Sequence, residues 1–96
     1  MSFIIQLTLE AKLEFEELLN WYGDINPQLA IKFLDEYCIT MKKITFNPKH
    51  YSFIAPNIRR IPFGSLQAML IYKIDENIVE IIAVKDMRSK PSKHFY

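Results

Sequence analysis

Four residues in the second half of the chain are of the types that can cleave a phosphodiester. They are Arg60, Lys73, Arg88 and His94, with Tyr96 as a nearby aromatic residue. RNA cleavage needs a base for the 2′-hydroxyl, cations for the charged transition state and an acid for the leaving oxygen. Arginine, lysine and histidine can supply these groups. If the chain is a nuclease, these four residues are its candidate catalytic set.

The neighbours Arg59 and Arg60 cannot both join such a site, because successive residues of a strand face opposite sides of a sheet. A simpler interpretation of each cation is an exposed charge on an edge strand or in a tail. A tight turn likewise explains Asp75 and Glu76 without catalysis.

The sequence lacks the residues that disulfides, metal sites and phosphate-binding loops require. Cys38 is the only cysteine, so the chain has neither a disulfide framework nor a thiolate metal site. Two glycines do not form a phosphate-binding loop, and no His/Cys spacing is typical of a metal site. We therefore expect no metal and no cofactor.

The composition predicts one folded domain, residues 1–96, because half of the 96 residues are hydrophobic and 24% are charged. The net charge of +1 is unevenly distributed: residues 1–56 carry −2 and residues 57–96 carry +3. The basic excess at the C-terminal end predicts an acidic partner or a phosphate surface there, although it can also be a solvated tail.

No long apolar run indicates a signal peptide or membrane helix, so we expect a cytoplasmic protein.

Hydrophobic spacing predicts the elements that position these residues. A strand at 3–7 is followed by a helix that Thr8 caps and Gly23 ends. Asn26-Pro27 begins a second helix, which Asn47-Pro48 closes, and a short Gly-containing connection makes the pair an antiparallel hairpin.

Three strands follow, at 57–61, 66–74 and 78–84, with the last two joined by a turn in which Asn77 takes a positive φ. The tail from 85 to 96 is predicted to be partly irregular. The result is an α+β fold of order β-α-α-β-β-β, with a helical hairpin on one face of a mainly antiparallel sheet. The last two strands are apolar on both faces, so we expect a partner chain to cover the second face.

Several short motifs carry a resemblance over almost the whole chain. They are Ala11 and Phe15, Trp21-Tyr22, Pro27 with Ala30 and Phe33-Leu34, Asn47-Pro48, Ile58-Arg59-Arg60, Ile71-Tyr72-Lys73-Ile74, the strand 78–84 and Pro91. In this order they resemble the RelE/ParE toxin superfamily, and more closely its ParE-like, plasmid-stabilisation branch.

The resemblance implies the toxin of a type II toxin–antitoxin pair, in a hetero-oligomer with its antitoxin. The antitoxin's C-terminal segment wraps the toxin's helices and sheet in this family. The aromatic residues expected to meet it are Phe15, Trp21, Tyr22, Phe33 and Tyr37, although ordinary packing also explains such rings.

The two branches of the superfamily differ in activity. RelE-like members cleave messenger RNA on the ribosome and carry an arginine where this chain has Met69. A second basic position corresponds to Met87, beside Arg88. ParE-like members inhibit DNA gyrase by protein–protein contact, without catalytic residues. The loss of the arginine therefore favours the ParE-like branch.

The resemblance implies target binding through the following residues: Arg60, Arg88, Lys90, Lys93 and Phe95. Here Asp86 replaces a histidine that is common in ParE-like sequences, and Ser89-Lys90-Pro91 replaces their Arg-Asp-Pro. Two alternatives remain, namely a RelE-like endoribonuclease that acts on the ribosome and mRNA, and an inactive homologue that only binds an antitoxin.

Overall fold

The computed structural model describes residues 3–87, in which the first strand, β1 (Ile4–Leu7), is followed directly by two helices, α1 (Leu9–Ile25) and α2 (Pro27–Phe46). Both predicted caps are confirmed. Thr8 Oγ1 accepts the Ala11 N–H at 3.1 Å. The Asn26 side chain accepts the Gln28 N–H at 2.9 Å, while its own N–H donates to the Tyr22 carbonyl at 3.0 Å. Asn26 therefore ends α1 and begins α2.

The prediction that Gly23 ends the first helix is wrong. Gly23 lies inside α1, and the connection between the helices is Asn26 alone rather than a Gly-containing loop. A Cβ on Gly23 would lie 3.5 Å from the Ala30 Cβ. The missing side chain thus leaves room where α2 begins to run back along α1.

Four strands follow the hairpin: β2 (Phe53–Ala55), β3 (Ile58–Pro62), β4 (Ala68–Asp75) and β5 (Ile78–Asp86). The sheet order is β1-β5-β4-β3-β2, with β1 parallel to β5 and the other pairs antiparallel. The last three strands match the prediction within a few residues, and β2 was not predicted. The prediction of an irregular tail is wrong for residues 85 and 86, because Lys85 and Asp86 belong to β5 and pair with Met69 and Ala68 of β4. Residues 88–96 lie outside the described part of the chain.

Two turns use a left-handed backbone. In the turn between β4 and β5, Glu76 has a φ of 55°, so the prediction that placed the positive φ at Asn77 is wrong. In the turn between β2 and β3, Asn57 follows Pro56 and has a φ of 61°. Proline followed by a residue with positive φ is typical of a type II turn, and this turn creates the unpredicted strand β2.

The core lies between the hairpin and one face of the sheet. Phe33, Ile44, Leu70, Tyr72 and Ile81 are all fully buried there. Of the helices within residues 3–87, neither has the combination of length and low polarity that a membrane span requires.

The opposite sheet face is not the open apolar surface that the sequence predicted. Ile71 lies between Leu70 and Tyr72 of the core, so strand alternation turns it to the other face, where it pairs with Ala83. Ile71 is nevertheless fully buried and Ala83 is only 2% exposed. The centre of this face is therefore already covered.

Two polar side chains of the sheet, those of Tyr72 and Arg59, attach the segment after α2 to it. The buried Tyr72 hydroxyl donates to the Pro48 carbonyl at 2.7 Å. The Arg59 guanidinium donates to the carbonyls of Lys49 and Tyr51 at 2.8 and 2.7 Å and lies 3.9 Å from the centre of the Phe53 ring. These contacts hold the chain in place where it enters β2.

The loop between β3 and β4 is held by Glu36 of α2. Glu36 Oε2 accepts the Ser65 N–H at 3.2 Å and the Ser65 hydroxyl at 3.1 Å. Gly64 beside it has a φ of 23°, and a Cβ there would lie 2.6 Å from Glu36 Oε2. The backbone angle therefore favours glycine at this position, and a Cβ would also displace the Glu36 carboxylate that holds Ser65.

The two glycines give a matched test. We expect Gly64→Ala to lower the free energy of unfolding by about 1–2 kcal/mol, because it combines backbone strain with a clash at Glu36. Gly23→Ala fits a helix interior, so it should raise stability by up to about 1 kcal/mol. Urea denaturation of both variants measures the difference, and equal effects would contradict this account.

A second test concerns Tyr72, whose pKa burial raises to about 12. We expect Tyr72→Phe to cost about 1–3 kcal/mol near neutral pH, because it leaves the Pro48 carbonyl without its donor. The folded protein holds the phenolic proton more tightly than the unfolded chain. The Tyr72 contribution is therefore complete below pH 10 and is lost as the pH rises from 10 to about 12.

Urea denaturation at several alkaline pH values checks this, because the variant should lose stability less steeply above pH 10. Tyr37, whose pKa is also raised by burial, remains in the variant and leaves a residual slope. Identical pH slopes for the two proteins would contradict the assignment to Tyr72.

Candidate functional site

Four of the five aromatic residues predicted to meet an antitoxin form one cluster beneath the helices. The Phe33 ring lies 5.4 Å from the Phe15 and Tyr22 rings, and the Phe15 ring lies 4.5 Å from that of Tyr37. Phe33 also stacks on Phe63, next to β3, at 5.3 Å. Phe33 is fully buried and Tyr22 is 3% exposed, so a partner cannot touch either ring without opening the core.

Trp21 is the exception. It is 42% exposed, and its ring meets the Tyr22 ring edge-on at 5.1 Å. It lies in a groove of about 360 Å³ between α1 and β5, which is lined by Glu14, Glu17, Leu18, Trp21, Val84, Lys85 and Asp86.

The groove exists because β1 is short. Its last residue, Leu7, pairs with Ile81, and the Thr8 N–H donates to the Ile81 carbonyl at 3.0 Å. From residue 82 onward β5 continues without β1 beside it, and α1 lies along this part of the strand. An edge of this kind presents backbone groups that another polypeptide can pair with.

Glu14 occupies part of that edge. Its Oε1 accepts the Val84 N–H at 3.0 Å, and its Oε2 forms an ion pair with Lys85. The carboxylate thus provides the acceptor that a neighbouring strand would otherwise supply. Together with Glu17 it makes the α1 wall of the groove acidic, while Leu18 and Trp21 provide apolar surface.

The two described members of the predicted nuclease set lie apart from this groove. Strand alternation places Arg60 and Ile71 on the sheet face away from the helices, and Arg59 on the helix side with Tyr72. The expectation that the two arginines face opposite sides of the sheet is confirmed. Arg60 is exposed, and its side chain makes no hydrogen bond or ion pair with another residue of 3–87.

Lys73 is paired with a carboxylate. Its Nζ lies 3.5 Å from Glu80 Oε1 on the adjacent strand, and both side chains are partly exposed. A lysine whose charge is balanced in this way is a weaker phosphate ligand. Met69, which pairs with Pro62 and Lys85, brings no charge to the same sheet.

Other predicted residues fall outside the structural description. Arg88, Lys90, Lys93, His94 and Phe95 lie beyond Met87, so no geometry relates them to Arg60 or to the groove. Within residues 3–87, no three His, Cys, Asp or Glu side chains come together as metal ligands.

Sequence reasoning missed Glu14, which sits among other acids on the polar side of α1. No spacing signal distinguishes it from Glu16 or Glu17. Its role appears only when α1 and β5 lie side by side, because Glu14 and Val84 are 70 residues apart in the sequence.

Comparison with solved structures shows what the fold resembles. A chain in the structure of the chromosomal ParDE TA system from P. aeruginosa superposes with a TM-score of 0.76, covering 90% of this chain and 97% of that chain. The two sequences are 12% identical, so the likeness concerns the fold. The predicted α+β fold is thereby confirmed, and it matches a chain of a ParDE system. No family model and no curated protein matches the sequence.

Glu14 gives a direct test of the groove. We expect Glu14→Ala to destabilise the protein by about 1–3 kcal/mol, because the Val84 N–H loses its acceptor. Glu14→Gln keeps an acceptor oxygen and should cost less. Urea denaturation and hydrogen exchange at the Val84 amide measure both effects.

The control is Glu17→Ala, which removes a carboxylate from the same groove wall but no hydrogen bond to β5. It should change stability by less than about 0.5 kcal/mol. Equal Val84 exchange rates in the wild type and in Glu14→Ala would contradict the proposed role of Glu14.

Proposed function

We propose that this protein is the toxin of a type II toxin–antitoxin pair, and that it is ParE-like, inhibiting DNA gyrase by protein–protein contact. The fold carries this proposal, since it matches a chain of a ParDE system over 90% of this chain. A fold by itself does not define an activity, so the proposal also depends on the side chains at the candidate sites.

Those side chains favour binding over catalysis. In the RelE-like reading, the sheet would need cations that converge on a phosphate. In the described part of the chain, the position of the RelE-like arginine holds Met69, and Lys73 is paired with Glu80. Of the two described candidates, Arg60 is the one whose charge on the outer sheet face no carboxylate of residues 3–87 balances. A single cation of this kind is more consistent with a protein interface than with phosphodiester cleavage, because cleavage needs several cations around one phosphate.

We propose that Arg60 contributes to target binding together with the basic C-terminal residues. Those residues are Arg88, Lys90 and Lys93, followed by Phe95. Four of these five residues are basic, in keeping with the +3 balance of residues 57–96. Positive charge of this kind speeds association with an acidic partner and makes binding sensitive to salt.

The antitoxin, in our proposal, occupies the groove between α1 and β5. Trp21 supplies an exposed aromatic anchor there, and exposed aromatic residues often carry much of the binding energy at an interface. The other four predicted aromatic residues, Phe15, Tyr22, Phe33 and Tyr37, support this surface from below. The resulting assembly is a hetero-oligomer of toxin and antitoxin.

Expression of the chain alone tests the proposed activity. We expect growth arrest with induction of DNA-damage signalling while bulk messenger RNA stays intact. Coexpression with the cognate antitoxin, which we expect a neighbouring gene to encode, should restore growth. Arg60→Glu should weaken toxicity because it reverses the exposed charge on the outer sheet face, whereas Lys49→Glu, an exposed charge reversal outside the sheet, should not.

Two results would contradict the proposal. Rapid cleavage of messenger RNA at translating codons, abolished by the double substitution Arg88→Ala and His94→Ala, would identify a RelE-like endoribonuclease. Normal growth at high expression, with stable binding to the neighbouring protein, would identify an inactive antitoxin-binding homologue.

A further inference from the structure

The side of α2 that faces away from the core carries a row of exposed residues. They are Ile31, Asp35, Cys38, Ile39, Lys42 and Phe46. At 100° per residue they lie opposite the buried Phe33, Thr40 and Ile44 of the same helix. Phe46 is 90% exposed, Ile31 53% and Ile39 47%. Exposed apolar side chains that recur along an outer helix face are typical of an interaction surface.

The order of residues in this row has a two-fold pattern. Ile31 and Phe46 are equally far from the midpoint between residues 38 and 39, and so are Asp35 and Lys42. Cys38 and Ile39 flank the midpoint itself. If a second α2 packs antiparallel about this point, the Asp35 carboxylate meets the Lys42 ammonium group of the other copy, and the same contact occurs twice. Apolar residues then lie on both sides of each ion pair.

We propose that this row, which we call the outer α2 face, binds a second copy of the chain in a two-fold symmetric, antiparallel helix pair. An isologous interface requires that residue i meets j while j meets i, and the outer α2 face satisfies this for its one acidic and its one basic residue. A parallel pairing would instead set Asp35 against Asp35 and Lys42 against Lys42. Charge complementarity therefore selects self-association in the antiparallel sense.

The size of the surface sets the strength of association. A helix of 20 residues is about 30 Å long, so a single pair of such helices gives an interface at the small end of specific protein contacts. We therefore expect a reversible dimer, which forms at high protein concentration and dissociates on dilution, rather than a permanent one. The outer α2 face shares no residue with the groove between α1 and β5 or with Arg60, so self-association is independent of the proposed function.

Charge exchange tests the pairing in the full-length purified protein. Sedimentation from about 1 µM to about 1 mM should show a reversible monomer–dimer equilibrium. Lys42→Asp or Asp35→Lys should each weaken dimerisation at least about tenfold, because each sets like charges against one another across the interface. The double variant Asp35→Lys with Lys42→Asp restores opposite charges and should recover most of the affinity.

Lys43→Asp is the matched control. It makes the same change in net charge at the adjacent exposed residue, which lies about 100° around the helix from Lys42. It should leave dimerisation nearly unchanged. All substituted positions are exposed, and circular dichroism of each variant checks that the fold is retained.

Cys38 provides a second measurement. The two-fold axis passes beside it, so the two Cys38 thiols of a dimer should lie within reach of a short bis-maleimide. Crosslinked dimer should form with the wild type, fall with Lys42→Asp, return in the double variant and be absent with Cys38→Ser.

The proposal is overturned by several results. These are a monomer at every concentration, a dimer that Lys42→Asp leaves intact, and a double variant that fails to regain affinity. Protection of Cys38 only when another protein is added would assign the outer α2 face to that protein and would equally overturn self-association.

Discussion

The aromatic packing around Phe33 is the contact on which the other features of this molecule depend. The ring lies between Phe15 and Tyr22 of α1 and Phe63 beside the sheet, so it fixes both helices against one face of the strands. With the hairpin held there, α1 lies alongside β5 and Glu14 reaches the Val84 N–H. The groove and its acidic wall thus follow from burial of apolar rings far more than from any local polar motif.

The length of β1 determines what the rest of the sheet can offer a partner. Four residues of β1 pair with β5, and the remaining part of β5 lies beside a helix. The Val84 N–H there donates to the Glu14 side chain, and a carbonyl group of another strand can accept the same hydrogen bond. By contrast, the outer face of the sheet carries Arg60 and the Lys73–Glu80 pair. One surface is thus suited to hold an extended polypeptide and the other to attract an acidic one.

Local signals in the sequence were sufficient for much of this fold. The caps at Thr8 and Asn26 and the apolar strands after residue 65 were correctly predicted, because each depends on neighbouring residues.

Gly23 was misjudged because packing against α2 overrides its preference for ending a helix. The three-residue strand β2 has too few residues for a periodic pattern, and the Pro56-Asn57 turn that creates it was not recognised. Glu14 and the aromatic site residues depend on contacts between distant segments, which spacing along one chain does not reveal. Burial of Phe33 and Tyr22 shows the same limit, because the residue type alone does not distinguish an aromatic side chain in the core from one at an interface.

Asn26 joins the two helices with a single residue, and it caps both of them through its backbone and its side chain. Because the connection is a single residue, α1 and α2 have little freedom to tilt independently. The hairpin should therefore behave as one rigid unit, with the groove along α1 and the outer α2 face along α2. A force on either helix would then act on the other as well, and the stacking of Phe33 on Phe63 resists movement of the pair away from the sheet.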